Sequence, residues 1–150
     1  MERTAFAQPS ATRTLRLGDS LLQRLQAWSQ AEQPHEACGL MIGMRTPTGY
    51  EVEYVTLAEN VLPLTERMSA FVMDPKHLMT EQLNADRAGL AIVGIWHSHP
   101  SGDSRPSSQD LQASWPGYAG LIVATPSEDT PLPCAWELHA GQVQTLTLNP

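Results

Sequence analysis

Lysine is nearly missing from this chain: Lys76 is the single one among 150 residues, and the other basic residues are arginines scattered without a run. With 16 acidic residues against nine basic ones the formal net charge is -7. Clustered cations are what give a phosphate backbone its sequence-independent grip, so no nucleic-acid partner is expected. Cysteine is equally scarce. Cys38 and Cys134 are too few for a disulfide framework and lack the spacing of a thiolate metal site. The missing Cys-x-x-Cys also sets aside a zinc nucleobase deaminase. Cys38 lies in an apolar run and reads as a buried thiol, while a bridge between the two cysteines stays open. Long apolar runs are absent too. The longest, Ala88 to Trp96, is far short of the ~20 residues of a membrane span, and Met1 to Ala11 has no apolar core of signal-peptide length. A cytoplasmic protein without a membrane partner is expected. The length suits one domain, read here as a mobile polar tail over 1–11 followed by a single domain over 12–150.

What is present is concentrated in residues 90–110. An Ile- and Val-rich run ends in His97-Ser98-His99-Pro100 and breaks into a loop of Pro, Gly and Ser. That pattern describes a buried strand delivering two imidazoles to a loop. Strand side chains alternate faces, so His97 and His99 point the same way with Cβ atoms roughly 6–7 Å apart. Beyond them, Pro106-Ser107-Ser108-Gln109-Asp110 reads as a helix start whose first turn carries a carboxylate. Two His and one carboxylate suit zinc with a fourth position left for water. An isolated His-x-His is more often a pair of ordinary polar residues at a strand end. Ser107 and Asp110 also fit a variant capping box, with Asp110 bonding back to the helix start.

The rest of the chain predicts a sheet with helices on it. Thr12 to Leu17 alternates as a first strand. Ser20 to Gln23 resembles a capping box opening a helix from about 20 to 32, which Pro34 ends. Strands follow at Cys38–Met44 and Glu51–Leu57, with a Pro47-Thr48-Gly49 turn between them. Residues 58–68 read as a loop and Ala70–Met73 as a short strand. Asp74 and Pro75 then cap a helix to about Ala88, with Leu78, Met79 and Leu83 as its buried face and Gly89 as its release. A short helix reaches about Ser114. Leu121–Thr125 is the next strand, 126–133 a Pro-rich loop, and Cys134–His139 with Gln142–Leu148 a terminal hairpin. The fold class expected is α/β (α+β): a single curved mixed sheet packed with two main helices and one short one.

Seven residues separate His99 from Ser107 and two separate Ser107 from Asp110. With His97-Ser98-His99-Pro100, this spacing resembles the signature of the JAMM (MPN-plus) metalloproteases, and the resemblance extends over roughly 13–148. The family adds an upstream glutamate, and Pro34 to Gly43 looks like that segment, with Glu36 in the glutamate's place. The resemblance implies a JAB/MPN-like α/β sandwich, one zinc ion held by His97, His99 and Asp110, and Glu36 as general base. It gives Ser107 a catalytic role, donating to the oxyanion of a tetrahedral intermediate. The implied function is a zinc-dependent peptidase or isopeptidase. Small members resembling this chain act at the C-terminus of ubiquitin-like or sulfur-carrier proteins, trimming a tail or releasing cysteine.

Two other readings remain in view. The His99 to Asp103 loop also resembles that of RadC-type DNA-repair-associated proteins, which the acidic balance disfavours. A noncatalytic metal-dependent interaction module is disfavoured by Glu36. His35, His77 and His139 are expected in surface or structural roles, and Asp103 as a turn residue. The 58–68 loop and the Ala70–Met73 strand are candidates for a wall that adds a substrate tail as an extra strand.

Overall fold

The computed structural model describes residues 13–125 and 132–150. The expected tail at 1–11 and most of the 126–133 loop lie outside the described residues. Seven strands are formed: β1 (Thr14–Arg16), β2 (Cys38–Thr46), β3 (Gly49–Val55), β4 (Ala91–His99), β5 (Ala119–Ala124), β6 (Cys134–His139) and β7 (Gln142–Asn149). Three α-helices accompany them: α1 (Asp19–Glu32), α2 (Pro75–Ala88) and α3 (Ser108–Gln112). The mixed α+β composition and the helix count agree with expectation.

The sheet differs from the open curved one expected. Its order is β1-β3-β2-β4-β5-β6-β7, and it closes into a barrel because β1 pairs in parallel with both β3 and β7. Three residues thus satisfy two sheet edges, with the flanking Leu17 N–H donating to Asn149 O and Thr147 N–H to Arg13 O. A half-buried ion pair pins this closure. Arg13 donates through Nε and Nη2 to the two carboxylate oxygens of Glu137 on β6, each at 2.8 Å, and the Tyr50 hydroxyl of β3 donates to the same carboxylate at 2.8 Å.

Two faces of the sheet carry separate cores. The inner cluster includes Leu15, Leu25, Met41, Val93, Trp96 and Leu121, and α1 seals it through Leu25 and through Trp28, stacked on Trp96 at 6.0 Å. The cap of α1 is Gly18 with no side-chain hydrogen bond, so the capping box expected at Ser20 is not formed and Ser20 lies inside the first turn. On the outer face, Ala85 of α2 packs on Leu40, Ile42 and Ile92, while Leu111 of α3 packs on Ile122, Trp136 and Val143.

Helix α2 keeps its expected ends. The Asp74 side chain accepts from Lys76 N–H, Pro75 takes the first turn, and Gly89 closes the helix with φ 71°. Its apolar stripe is another matter. Leu78, Met79 and Leu83 are 46%, 69% and 57% exposed rather than buried. Helical spacing identifies a shared face but not what that face meets. Here it rims an open groove of about 640 Å³ between α2 and α3, floored by Ile92, Ile95 and Trp136. One further expectation fails, and one possibility left open is closed in favour of the buried thiol expected at Cys38. Ala70–Met73 forms no strand, only the isolated bridge from Asn60 to Met73. Cys38, His97, Ile122 and Cys134 stand in one row across β2, β4, β5 and β6. Three strand spacings put the cysteines roughly 14 Å apart, beyond the ~7 Å limit between disulfide Cα atoms, and both are free thiols.

Candidate metal and catalytic site

Strand β4 sits between antiparallel β2 and parallel β5, and its last residues present His97 and His99 on the outer face where the groove ends. The intervening Ser98 points inward and ties β4 to the segment before β2. Its hydroxyl accepts from Ala37 N–H at 2.8 Å, and its N–H donates to Ala37 O at 3.0 Å. His97 is buried, with the Phe71 ring against it at 4.7 Å between centroids.

The two imidazoles meet one carboxylate. The Nε2 atoms of His97 and His99 are 3.2 Å apart, and they lie 3.3 and 3.2 Å from Oδ1 and Oδ2 of Asp110. The Nδ1 of His99 is 2.7 Å from the backbone carbonyl of Asp103. A carbonyl only accepts, so Nδ1 carries a proton there; in the protonated ring Nε2–H donates to Asp110, and in the neutral ring that Nδ1 proton leaves the Nε2 lone pair for a metal. Asp103 keeps the turn role expected of it, since its exposed carboxylate accepts from Arg105 N–H at 2.9 Å.

Asp110 forms the capping box that its sequence allowed. Its Oδ2 accepts from Ser107 N–H at 2.9 Å, and its own N–H donates to the Ser107 hydroxyl at 3.1 Å, which completes a capping box. The same carboxylate faces both imidazoles, so the helix cap aims it at them. Burial works against its charge, yet hydrogen bonds from His97 and His99 hold the Asp110 carboxyl far below the usual carboxylate range. Burial lowers His97. Burial also works to lower His99, but Asp110 and the Asp103 carbonyl outweigh it and raise that ring.

Glu36 enters from the segment before β2 and is 6% exposed. Among the described residues its carboxylate has no hydrogen-bond partner. Burial pushes its pKa to about 7; the charge of His99 pulls it down, and Asp110 pushes it up. Its backbone is held at both ends, with the N–H donating to Arg67 O at 2.7 Å and the carbonyl accepting from Asn60 Nδ2 at 3.1 Å. His77 bonds Thr56 at 2.7 Å, and neither it nor His35 and His139 belongs to the cluster of donors. Sequence reading missed Asn60, Phe71 and Ser98. A serine between two histidines is visible, but its partner Ala37 is 61 residues away. Asn60 and Phe71 lie in the loop and short strand read as a candidate substrate wall, but no spacing singles out either residue within them.

A family described as prokaryotic homologs of the JAB domain matches residues 18–139. The chain belongs to this family. Among curated relatives, the desampylase of Haloferax volcanii is 34% identical over 108 residues, covering 71% of this chain and 74% of that protein. A Thermus thermophilus protein, named a probable TtuB-protein conjugate cleaving protease, is 36% identical over 96 residues, covering 63% of this chain and 60% of its own. Among solved structures, a Desulfitobacterium hafniense protein superposes with TM-score 0.78 at 26% identity, covering 90% of this chain and 91% of that one. A Salinibacter ruber protein gives 0.64 at 25% identity, with 91% of each chain covered. The JAMM resemblance read from the motif is therefore borne out at the level of the family. In this JAB-family chain the donor atoms of His97, His99 and Asp110 lie within 4.8 Å of one another. Two imidazole nitrogens and a carboxylate converging at that distance fit a divalent ion.

Proposed function

We propose that the protein is a zinc-dependent peptidase or isopeptidase, hydrolysing an amide bond at the C-terminus of a ubiquitin-like or sulfur-carrier protein. The observation that carries this reading is a carboxyl on a buried residue, Glu36, close enough to feel the charges of His99 and Asp110, two of three converging donors. His97, His99 and Asp110 would hold the ion. Zinc there supplies Lewis acidity and lowers the pKa of water toward about 7. Glu36 is the general base: burial raises its affinity for a proton, and it would take one from water and return it to the leaving amine. The Ser107 hydroxyl uses an acceptor lone pair for the helix cap, which leaves its proton free to donate to the substrate carbonyl oxygen. Capping and catalysis therefore do not compete for that hydroxyl. Asp103 fixes His99 in the tautomer that binds through Nε2.

The names of the two relatives, a desampylase and a conjugate cleaving protease, support a substrate made of a protein conjugate. The groove ending at His97 and Asp110 is the place for its tail. We assign the reaction to the cytoplasm, where two free cysteines stay reduced. The purified protein should hold about one zinc per chain, and His97→Ala should lose it. A sulfur-carrier-like protein with residues appended after Gly-Gly should be cut at that point. Replacing the final glycine by valine should lower the rate roughly tenfold or more, since a Cβ beside the ion crowds the extended tail. Elemental analysis and product mass spectrometry read both outcomes. Equal zinc in wild type and His97→Ala would sink the metal assignment. Cleavage of an unrelated peptide, with every Gly-Gly-tailed partner left intact, would sink the substrate assignment.

A further inference from the structure

Asn60 touches none of the reacting groups, yet its amide hydrogen bonds reach two sides of the site. It is 8% exposed and uses its full bonding capacity. Nδ2 donates to Glu36 O and Ala70 O, both at 3.1 Å, while Oδ1 accepts from Leu62 N–H at 3.3 Å and Val72 N–H at 3.2 Å. Ala70 and Val72 flank Phe71, the residue whose ring lies on His97. The segment around Asn60 is closed at its base, where Val61 N–H donates to Val72 O at 2.8 Å and Asp74 N–H to Glu59 O at 3.1 Å. Its far side also reaches Glu36, whose N–H donates to Arg67 O.

Glu36 precedes β2, so the hydrogen bonds of its backbone go to this clamp and not to a sheet ladder. The backbone that carries its carboxyl is thereby held by residues 59–74 on one side and, through Ala37, by Ser98 of β4 on the other. We propose that Asn60 is a positioning residue, fixing the Glu36 backbone and the Phe71 backbone as one unit so that the proton-handling carboxyl and the His97 ring keep their relative placement. This rests on Glu36 being the general base. Removing the Asn60 amide leaves the carbonyls of Glu36 and Ala70 and the N–H groups of Leu62 and Val72 without their partner, and the backbone bonds Val61–Val72, Asp74–Glu59 and Glu36–Arg67 then hold the clamp without its central cross-link.

A double-mutant cycle tests it, with zinc-loaded full-length protein, a Gly-Gly-tailed sulfur-carrier-like substrate, and a temperature at which circular dichroism shows every variant folded. Asn60→Ala should lower kcat roughly ten- to a hundredfold with KM moving less than about threefold, because misplacing a catalytic group acts on the transition state more than on binding. In the Glu36→Gln background the same substitution should cost less than about twofold further, since a residue acting through Glu36 has nothing left to position. Asn60→Leu keeps the size, adds no charge and loses all four hydrogen bonds. It carries the test where Asn60→Ala does not fold, and the same losses are expected. An unchanged kcat alongside a lowered Tm would make Asn60 merely structural and overturn the proposal, as would an equal loss in both backgrounds. If Glu36→Gln alone keeps the wild-type rate, the base reading fails by itself, visibly apart from the cycle, and the proposal falls with it.

Discussion

Two glutamates of this protein are buried almost equally and held in opposite ways. Glu137 is 1% exposed and Glu36 is 6% exposed. The carboxylate of Glu137 accepts two bonds from Arg13 and one from Tyr50; burial alone would raise its pKa, but the Arg13 and Tyr50 hydrogen bonds and the guanidinium charge bring it below the ordinary value. Glu36 has no such partners among the described residues, and burial carries it to about 7. A buried charge costs free energy unless it is paired and hydrogen-bonded. At Glu137 that cost is offset and the group closes the barrel. At Glu36 it is left standing, which is what a group that exchanges protons near neutral pH requires.

The largest effect should come from breaking the unpaired member. Glu36→Gln should lower the rate by about 10²- to 10⁴-fold, the range for a positioned general base, while zinc content stays at the wild-type level. Loss of zinc in that variant would instead make Glu36 a ligand. Glu137→Gln should do the reverse. Removing the charge of the buried partner weakens two charge-assisted bonds, while the half-buried Arg13 guanidinium keeps solvent and Pro47 O, so stability in urea should fall by about 1–3 kcal/mol, with the rate per folded molecule unchanged. A smaller loss would mean that the closure rests on the ladder bonds of β1 and not on the ion pair.

The same contrast explains what could be read in advance. His97, His99 and Asp110 lie within fourteen consecutive residues, and strand alternation followed by a helix start is enough to bring them together. The ends of α2 were legible because Asp74, Pro75 and Gly89 each act on their own backbone. Arg13 and Glu137 are 124 residues apart and meet only because the barrel closes. That closure was illegible because β1 has three residues, too few for alternation to report a parallel partner on each side. The exposed stripe of α2 was misread for a related reason: spacing tells which residues share a face, and only the placement of α3 and β4 reveals that the face opens on a groove. Family resemblance supplied the position of Glu36. Nothing in the sequence pointed to Asn60, whose four partners lie at separations of 2 to 24 residues.

The opposite pKa shifts give opposite dependences of stability on pH, which supplies the subtlest way to sharpen the comparison. Glu137 is lowered, so its contribution is present above the unfolded carboxylate pKa and is lost as pH falls through its folded value. Glu36 is raised from 4.5 to about 7, so the folded state binds its proton more tightly than the unfolded chain does. Its contribution is full below 4.5 and is lost as pH rises through about 7. In protein stripped of metal, Glu36→Gln removes that titration and also the support the Glu36 charge gives to protonated His99, while the remaining causes acting on His99 and Asp110 are common to both proteins. Urea unfolding in a chelator should therefore show the two equally dependent on pH below about 4.5. Between there and pH 8 the wild type should lose on the order of 2–3 kcal/mol relative to the variant. A difference that stays flat across this range would mean that the Glu36 carboxyl is solvated when folded, and the distinction between the two glutamates would disappear. A difference of the opposite slope would mean that Glu36, like Glu137, is paired.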